Sequence, residues 1–193
     1  MRIQRLIAIW AAKLCCTACR LAGKQGVTLA GKLARKIDPD ILRELSLEVR
    51  EKIFVVCGTN GKTTTNNLLC SAIESEGMKL VCNHTGSNML DGVTAAFVLA
   101  AKNNGHLDAD YASIEIDGAC TVRGFPYFKP DYMVLTNLLR DQLDRYGEID
   151  ITMNLLKKAM QMAPDMTVIV NGDDALSAYL AMESGNPYVT YGI

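Results

Sequence analysis

The chain has 193 residues, which suits one ordinary domain or one domain with a small extra piece. Apolar residues make up 49% of it, enough for a substantial core and too many for a disordered chain. The formal net charge is only -1, but the first 36 residues hold eight Lys or Arg and no Asp or Glu, so the rest carries a balance of -9. A basic front on an acidic body suits an anionic partner: phospholipid, a phosphorylated substrate or an acidic protein surface. Nucleic acid is not among the expected partners.

Residues 2–22 predict a helix. Ile3, Leu6, Ile7, Trp10, Leu14, Ala18 and Leu21 recur at helical spacing, with Arg2, Arg5, Lys13 and Arg20 mostly elsewhere on the wheel. Two readings follow: an amphipathic helix on a membrane surface, or a helix packed on its own protein with the basic residues in water. The stretch Leu6 to Ala22 is short for a bilayer span and is interrupted by Lys13 and Arg20, and no signal-peptide cleavage site follows it cleanly. Gly23 to Gly31 reads as a loop. A further helix is expected after Asp38-Pro39, with Asp38 as cap and Pro39 in the first helical position.

From Lys52 the pattern changes. Ile53 to Cys57 is a continuous apolar run, as in a strand buried on both faces. Gly58-Thr59-Asn60-Gly61 breaks it, and Lys62 to Glu76 then has helical spacing through Leu68, Leu69, Ala72 and Ile73, ended by Gly77. Strands are expected from Leu80, over Tyr111 to Ile116, Tyr132 to Thr136, Thr167 to Val170 and Tyr188 to Tyr191. Helices are expected over Asp91 to Lys102, with Asp91 as a candidate cap, Ile149 to Met162 and Asp173 to Met182. Such alternation of strand and helix predicts an α/β fold with a parallel sheet covered on both faces. The expected division is a basic helical piece over residues 1–50 and an α/β domain over residues 51–193.

The seven cysteines are odd in number and form no paired framework. Cys16 and Cys19 make one C-x-x-C inside a helical pattern, where buried small hydrophobes explain them better than metal or redox chemistry. This usage fits a reducing cytoplasm better than a disulfide scaffold. His84 and His106 show no partner spacing for a metal or a nucleophilic triad, and His84 reads as a solvated loop residue.

Gly58-Thr59-Asn60-Gly61-Lys62-Thr63-Thr64-Thr65 carries the chemistry. It lies between a buried strand and a helix, the context of a phosphate-binding P-loop. Glycines let successive N–H groups converge on phosphate oxygens. The helix start adds its positive end, Lys62 reaches the β- and γ-phosphates as a point charge, and the Thr63 hydroxyl is placed for magnesium. Val56 stands where the common Walker form has its first glycine, so the loop is the shortened G-x-x-G-K-T variety.

The loop Gly-Thr-Asn-Gly-Lys-Thr-Thr resembles that of the Mur ligases and folylpolyglutamate synthetases. Ile114-Glu115-Ile116-Asp117, the block Thr136-Asn137-Leu138-Leu139-Arg140-Asp141-Gln142-Leu143-Asp144-Arg145-Tyr146-Gly147 and Asn171-Gly172-Asp173-Asp174 resemble further family segments in the same order. Within the superfamily, the run from Arg140 to Asp150, the segment Asn83 to Gly92 and the basic first helix look like the MurT family, the ligase-like subunits of lipid II isoglutaminyl synthase. The resemblance implies ATP-dependent amidation of the D-glutamate carboxylate of the lipid II stem peptide, with ammonia from a GatD-type glutaminase subunit. It implies ATP held by Gly58, Thr59, Asn60, Gly61, Lys62, Thr63 and Thr64, with Asn137, Arg140 and Asn171 as further nucleotide contacts. Lys62 and Glu115 would be catalytic, and Thr63 and Glu115 would hold Mg2+.

Two departures stand out. Gln142 replaces the family's histidine, and Gly118 follows Asp117 where another acidic residue is expected. For Arg140 a pairing with Asp141 or Asp144 competes with phosphate contact, and Asp173 reads better as a helix cap than as a nucleotide ligand. The resemblance also implies a zinc-binding insertion and a ligase domain beyond Ile193, so residues 1–193 alone are expected to bind ATP weakly and to be inactive. Localisation is expected to be cytoplasmic, at the inner face of the membrane if the first helix docks there. Two other classes compete. A nucleotide kinase should show an arginine-rich lid, and none is visible. A binding module without ligase chemistry should tolerate loss of Glu115.

Overall fold

The structure, a computed structural model, describes residues 2–84, 87–139 and 148–193. Three helices come first: α1 (Ile3–Leu21), α2 (Val27–Ile37) and α3 (Ile41–Ser46). Then follow β1 (Val49–Cys57), α4 (Lys62–Ser75), β2 (Leu80–Cys82), α5 (Leu90–Ala100), β3 (Ala109–Glu115), α6 (Gly118–Gly124), β4 (Tyr132–Leu135), α7 (Glu148–Met162), β5 (Thr167–Asn171), α8 (Ala175–Ser184) and β6 (Tyr188–Tyr191). All six strands run parallel in the order β2-β3-β1-β4-β5-β6. The expected α/β class and parallel sheet are therefore present. Val55, Val56 and Cys57 of β1, and Ile114 and Leu135 of its neighbours, are fully buried, as the continuous apolar runs predict.

Chain order fixes where a site can form. From β1 the chain moves outward to β2 and back to β3, then crosses β1 to reach β4, β5 and β6. The direction of winding reverses between β1 and β4, and the crevice outside the strand ends at such a reversal is where parallel α/β sheets bind ligands. Val56 pairs with Glu115 and Cys57 with Leu135, which brings the carboxyl ends of β3, β1 and β4 to one level.

The N-terminal helices differ from expectation in two ways. First, α1 departs from the packed-helix reading in the face that it buries. It buries Arg5, Ala8, Ile9, Ala12 and Cys16, while Ile3, Ile7, Trp10, Leu14 and Leu21 are more than half exposed. Mostly small side chains let α1 approach α2 and α5 closely, and of the larger apolar residues only Ile9 is fully buried. Arg5 stays buried because it pairs with Glu48 at 2.7 Å. Second, part of the expected loop Gly23 to Gly31 is helix α2. Gly31 lies in the middle of it, and a Cβ there would strike the carbonyl oxygen of Asp91 in α5. The glycine serves close helix packing, which a reading of glycines as loop punctuation misses. Ala30 and Ala34 of α2, together with Ile41, Leu42 and Leu45 of α3, join the same hydrophobic cluster as the sheet.

Several caps also move. Asp38 bonds the Asp40 N–H at 3.2 Å in the turn before α3, so Asp40 rather than Asp38 stands at the helix start. Asp91 lies inside α5 and pairs with Arg35 at 2.7 Å. Asp174, not Asp173, caps α8, accepting from the Ser177 N–H at 3.1 Å. Helix α6 has no counterpart in the sequence reading; its cap is Asp117, which accepts from the Ala119 N–H at 2.9 Å.

The contact at Gly31 is testable. Gly31→Ala adds a methyl group where there is no room and is expected to cost about 1–3 kcal/mol of stability, read as a lower denaturant midpoint. An unchanged midpoint would show that α2 and α5 are not in close contact.

Candidate functional site

The loop after β1 is built as the sequence predicts in outline. Gly58 adopts φ 137° and Gly61 φ 80°, both in the region that favours glycine, and Gly61 is the residue from which α4 starts. The amides of Lys62, Thr63 and Thr64 form the first turn of α4 and have no helical carbonyl within reach, so they are available to an anion. The Lys62 ammonium donates to the carbonyls of Gly58 and Thr59 at 2.8 and 2.9 Å, which holds the charge over the loop.

The segment after β4 braces this loop. Asn137 Oδ1 accepts from the Asn60 N–H at 2.9 Å and its Nδ2 donates to the Asn60 carbonyl at 3.2 Å. The Asn137 carbonyl accepts from the Thr59 N–H at 2.8 Å. Thr136 donates to the Asn60 carbonyl at 2.7 Å, and the Leu139 N–H donates to the Thr59 hydroxyl at 3.0 Å. The N–H groups of Thr59 and Asn60 are therefore turned to Asn137, and the free amides come from α4. Arg140, and with it Asp141, Gln142 and Asp144, lies outside the described residues.

Glu115 ends β3 and is 2% exposed. Its Oε2 accepts from the Thr63 hydroxyl at 2.7 Å and its Oε1 from Asn88 Nδ2 at 3.2 Å. Asn83 holds the backbone on both sides, accepting from the Glu115 N–H and donating to its carbonyl, each at 2.8 Å. Among the described residues no Lys, Arg or His pairs with this carboxylate. A buried carboxylate with only neutral donors is costly. Its oxygen, beside the Thr63 hydroxyl, makes an all-oxygen donor set that fits a hard cation such as Mg2+. Next to the loop, burial pushes the Cys57 thiol far above its ordinary range, so it remains a neutral wall of the site.

Other sequence candidates fall in different places. Asn171, at the end of β5, uses its Oδ1 to accept from the Asp173 N–H at 3.0 Å, within its own turn. Asp173 accepts from the Ile193 N–H at 3.1 Å. Asp174 links the two halves of the strand-end region, taking the Leu138 N–H at 2.9 Å while capping α8. A Cβ at Gly118 would lie 3.3 Å from Thr152 and 3.6 Å from Leu156 of α7, so a side chain there would start toward that helix. Asn83 and Asn88 are the functional residues that sequence reasoning missed. They sit in the segment Asn83 to Gly92, but nothing in its spacing shows that it returns to the end of β3.

Residues 56–193 match the model of the Mur ligase middle domain. With the loop, the parallel sheet and the strand-end carboxylate already in place, the class is clear: the chain belongs to the Mur ligase family. It is 38% identical over 191 residues to the lipid II isoglutaminyl synthase (glutamine-hydrolyzing) subunit MurT of Staphylococcus aureus, covering 99% of this chain and 42% of the relative. It is 39% identical over 152 residues to the MurT subunit of Streptococcus pneumoniae, covering 79% of this chain and 33% of that one. The chain thus spans about two fifths or less of these relatives. Among solved structures, MurF ligase from Thermotoga maritima in complex with ADP superposes with a TM-score of 0.68 at 15% identity, covering 82% of this chain and 36% of that chain. MurF from Acinetobacter baumannii does so with 0.64 at 20% identity, covering 83% and 35%. These structures share the fold.

The two loop glycines differ in what surrounds them. A Cβ at Gly58 would collide with the Thr136 hydroxyl and lie 3.0 Å from the Asn137 carbonyl, whereas one at Gly61 meets nothing within 4 Å. Gly61→Ala is expected to cost about 1–2 kcal/mol for the left-handed backbone alone. Gly58→Ala should cost more, because it also displaces the Thr136–Asn137 brace. Equal denaturant midpoints for the two variants would mean that the brace is not formed in solution.

Proposed function

We propose that this chain is the ATP-binding part of a carbon–nitrogen ligase that amidates the D-glutamate carboxylate of the lipid II stem peptide, with ammonia supplied by a GatD-type glutaminase subunit. The single observation that carries the catalytic reading is the pairing of Thr63 with the buried Glu115 beside the Lys62 loop. The similarity to MurT subunits over nearly the whole chain supports the choice of substrate and partner.

A carboxylate is a poor electrophile toward ammonia. Transfer of the γ-phosphoryl group of ATP to it creates an acyl phosphate, and ammonia then displaces phosphate at the carbonyl carbon. The first step brings two anions together, so positive charge must be fixed between them. The first-turn amides of α4 and Lys62 would bind the β- and γ-phosphates. Lys62 would leave the Gly58 and Thr59 carbonyls to do so. Thr63 and Glu115 would hold Mg2+, which when bound offsets phosphate charge. Asn137 acts on the loop backbone, and its part in nucleotide binding is to keep Gly58 to Gly61 in shape. Gly58, Thr59, Asn60, Gly61 and Thr64 would line the phosphate end, and Asn171 and Arg140 would reach the nucleotide only from their own segments. The zinc-binding insertion that the resemblance implies would lie outside residues 1–193.

The test uses the full-length protein with its glutaminase partner, glutamine, ATP and lipid II. Glu115→Gln retains the shape and one acceptor oxygen. It is expected to lower ADP formation by roughly 10²–10³-fold, while nucleotide still raises the melting temperature. Lys62→Ala should abolish that thermal shift. Near-normal ADP formation by Glu115→Gln would favour a nucleotide-binding module over a ligase.

The exposed face of α1 bears on location. Ile3, Ile7, Trp10, Leu14 and Leu21 form one exposed apolar stripe, flanked by Arg20 and by Arg2 and Lys13, of which Arg2 pairs with Glu44 and Lys13 bonds Ala101 and Asn103. No described helix is long and apolar enough to cross a membrane. We propose that the stripe rests on an anionic bilayer surface, where a lipid-anchored substrate would lie. Trp10 is the sole tryptophan of the chain, so its fluorescence reports directly on this stripe. In residues 1–193 it should shift to shorter wavelength with phosphatidylglycerol vesicles and far less with neutral vesicles. An identical response to both would remove the electrostatic part of the proposal, and none to either would remove the docking.

A further inference from the structure

Away from the phosphate loop, three residues from two elements and a loop converge. Cys70 is fully buried on α4, Cys82 ends β2, and His84 follows two residues later. Their Sγ, Sγ and imidazole nitrogen atoms all lie within 4.8 Å of one another. The Cys82 sulfur and His84 Nδ1 are 3.5 Å apart. With zinc–sulfur bonds of about 2.3 Å and zinc–nitrogen bonds of about 2.0–2.1 Å, a tetrahedral ion sets this separation at roughly 3.5–3.6 Å.

The surroundings suit a bound sulfur. Asn66, 1% exposed and one turn before Cys70, donates its amide N–H to the Cys82 sulfur at 3.3 Å. That orientation is fixed from the other side, because the buried Ser113 hydroxyl donates to Asn66 Oδ1 at 2.8 Å. A ligand sulfur accepting a hydrogen bond from a side chain that is itself held is the usual outer shell of a metal site. Asn67 Oδ1 stands 3.4 Å from the same His84 nitrogen, a contact that Nδ1 would give up on binding an ion.

We propose that Cys70, Cys82 and His84 bind a borderline-soft divalent cation, zinc by its chemistry, with water in the fourth position. Two thiolates and a neutral imidazole balance the ion's charge and match its preferred donors. The ion would tie α4, which carries Lys62 and Thr63, to the end of edge strand β2. Asn83, between two of the ligands, holds the backbone of Glu115. The clamp therefore joins both sides of the phosphate site without touching it. It does not depend on the proposed ligase activity.

The test compares full-length proteins by difference, which cancels metal bound elsewhere in the chain. Parent, Cys82→Ser and His84→Ala are stripped with chelator and titrated with cobalt(II). The parent is expected to take up an additional equivalent compared with Cys82→Ser and to show a thiolate-to-cobalt absorption that this variant lacks. His84→Ala changes an exposed residue, so it tests the site even if Cys82→Ser fails to fold. It should bind that equivalent roughly tenfold or more weakly, the scale on which even outer-shell partners count. Equal uptake and equal spectra in all three would overturn the proposal. So would a Cys70–Cys82 disulfide in protein whose thiols were trapped at cell lysis.

Discussion

The site depends on one side chain bonded at both ends. Asn137 takes the Asn60 N–H and returns a hydrogen bond to the Asn60 carbonyl, so the segment after β4 holds the loop after β1. A backbone loop that must present amides to phosphate needs its own carbonyls turned away and its shape fixed. Thr136 adds a second bond to the same carbonyl, and Gly58 lets the two segments approach without a side chain between them. These contacts exist only because β1 and β4 are neighbours in a sheet whose winding reverses between them.

The acidic half of the site follows the same logic from the other side of β1. Glu115 reaches the Thr63 hydroxyl because Val56 and Glu115 are paired in register, one residue short of the loop. Asn83 and Asn88 keep the carboxylate in place without neutralising it. A buried carboxylate with only neutral donors can still take a cation, which is what the proposed Mg2+ site would use. The site thus combines an amide-rich pole and an acidic pole on adjacent strands, the arrangement that the proposed phosphoryl transfer would use.

The helices before β1 show how packing overrides amphipathic pattern. Larger apolar residues on α1 would ordinarily mark its buried face. The structure buries Ala8, Ala12 and Cys16 with only Ile9 among the large apolar residues, on the side that faces α2 and its buried Ala30 and Ala34. The same reversal occurs on α4, where Leu68 is 67% exposed while Asn66 and Cys70 are buried. There the inward face is polar because Asn66 satisfies Ser113 and Cys82.

What the sequence determined by itself was local chemistry and strand order. Ile53 to Cys57 marked a buried strand, Gly58 to Thr65 marked a phosphate loop, and the alternation of elements implied the parallel sheet. These signals are short-range, since each depends on residues adjacent along the chain. Glu115 was legible as a strand-end acid because a resemblance to a family pointed to it. Only the tertiary structure decided that Asn83 and Asn88 return to Glu115, that Asn137 serves the loop, that α2 is a helix and which face of α1 is inside. Each of these rests on a contact between residues far apart in the chain. Such contacts are chosen by the fit of whole surfaces, and that fit leaves no period or spacing in the residues themselves.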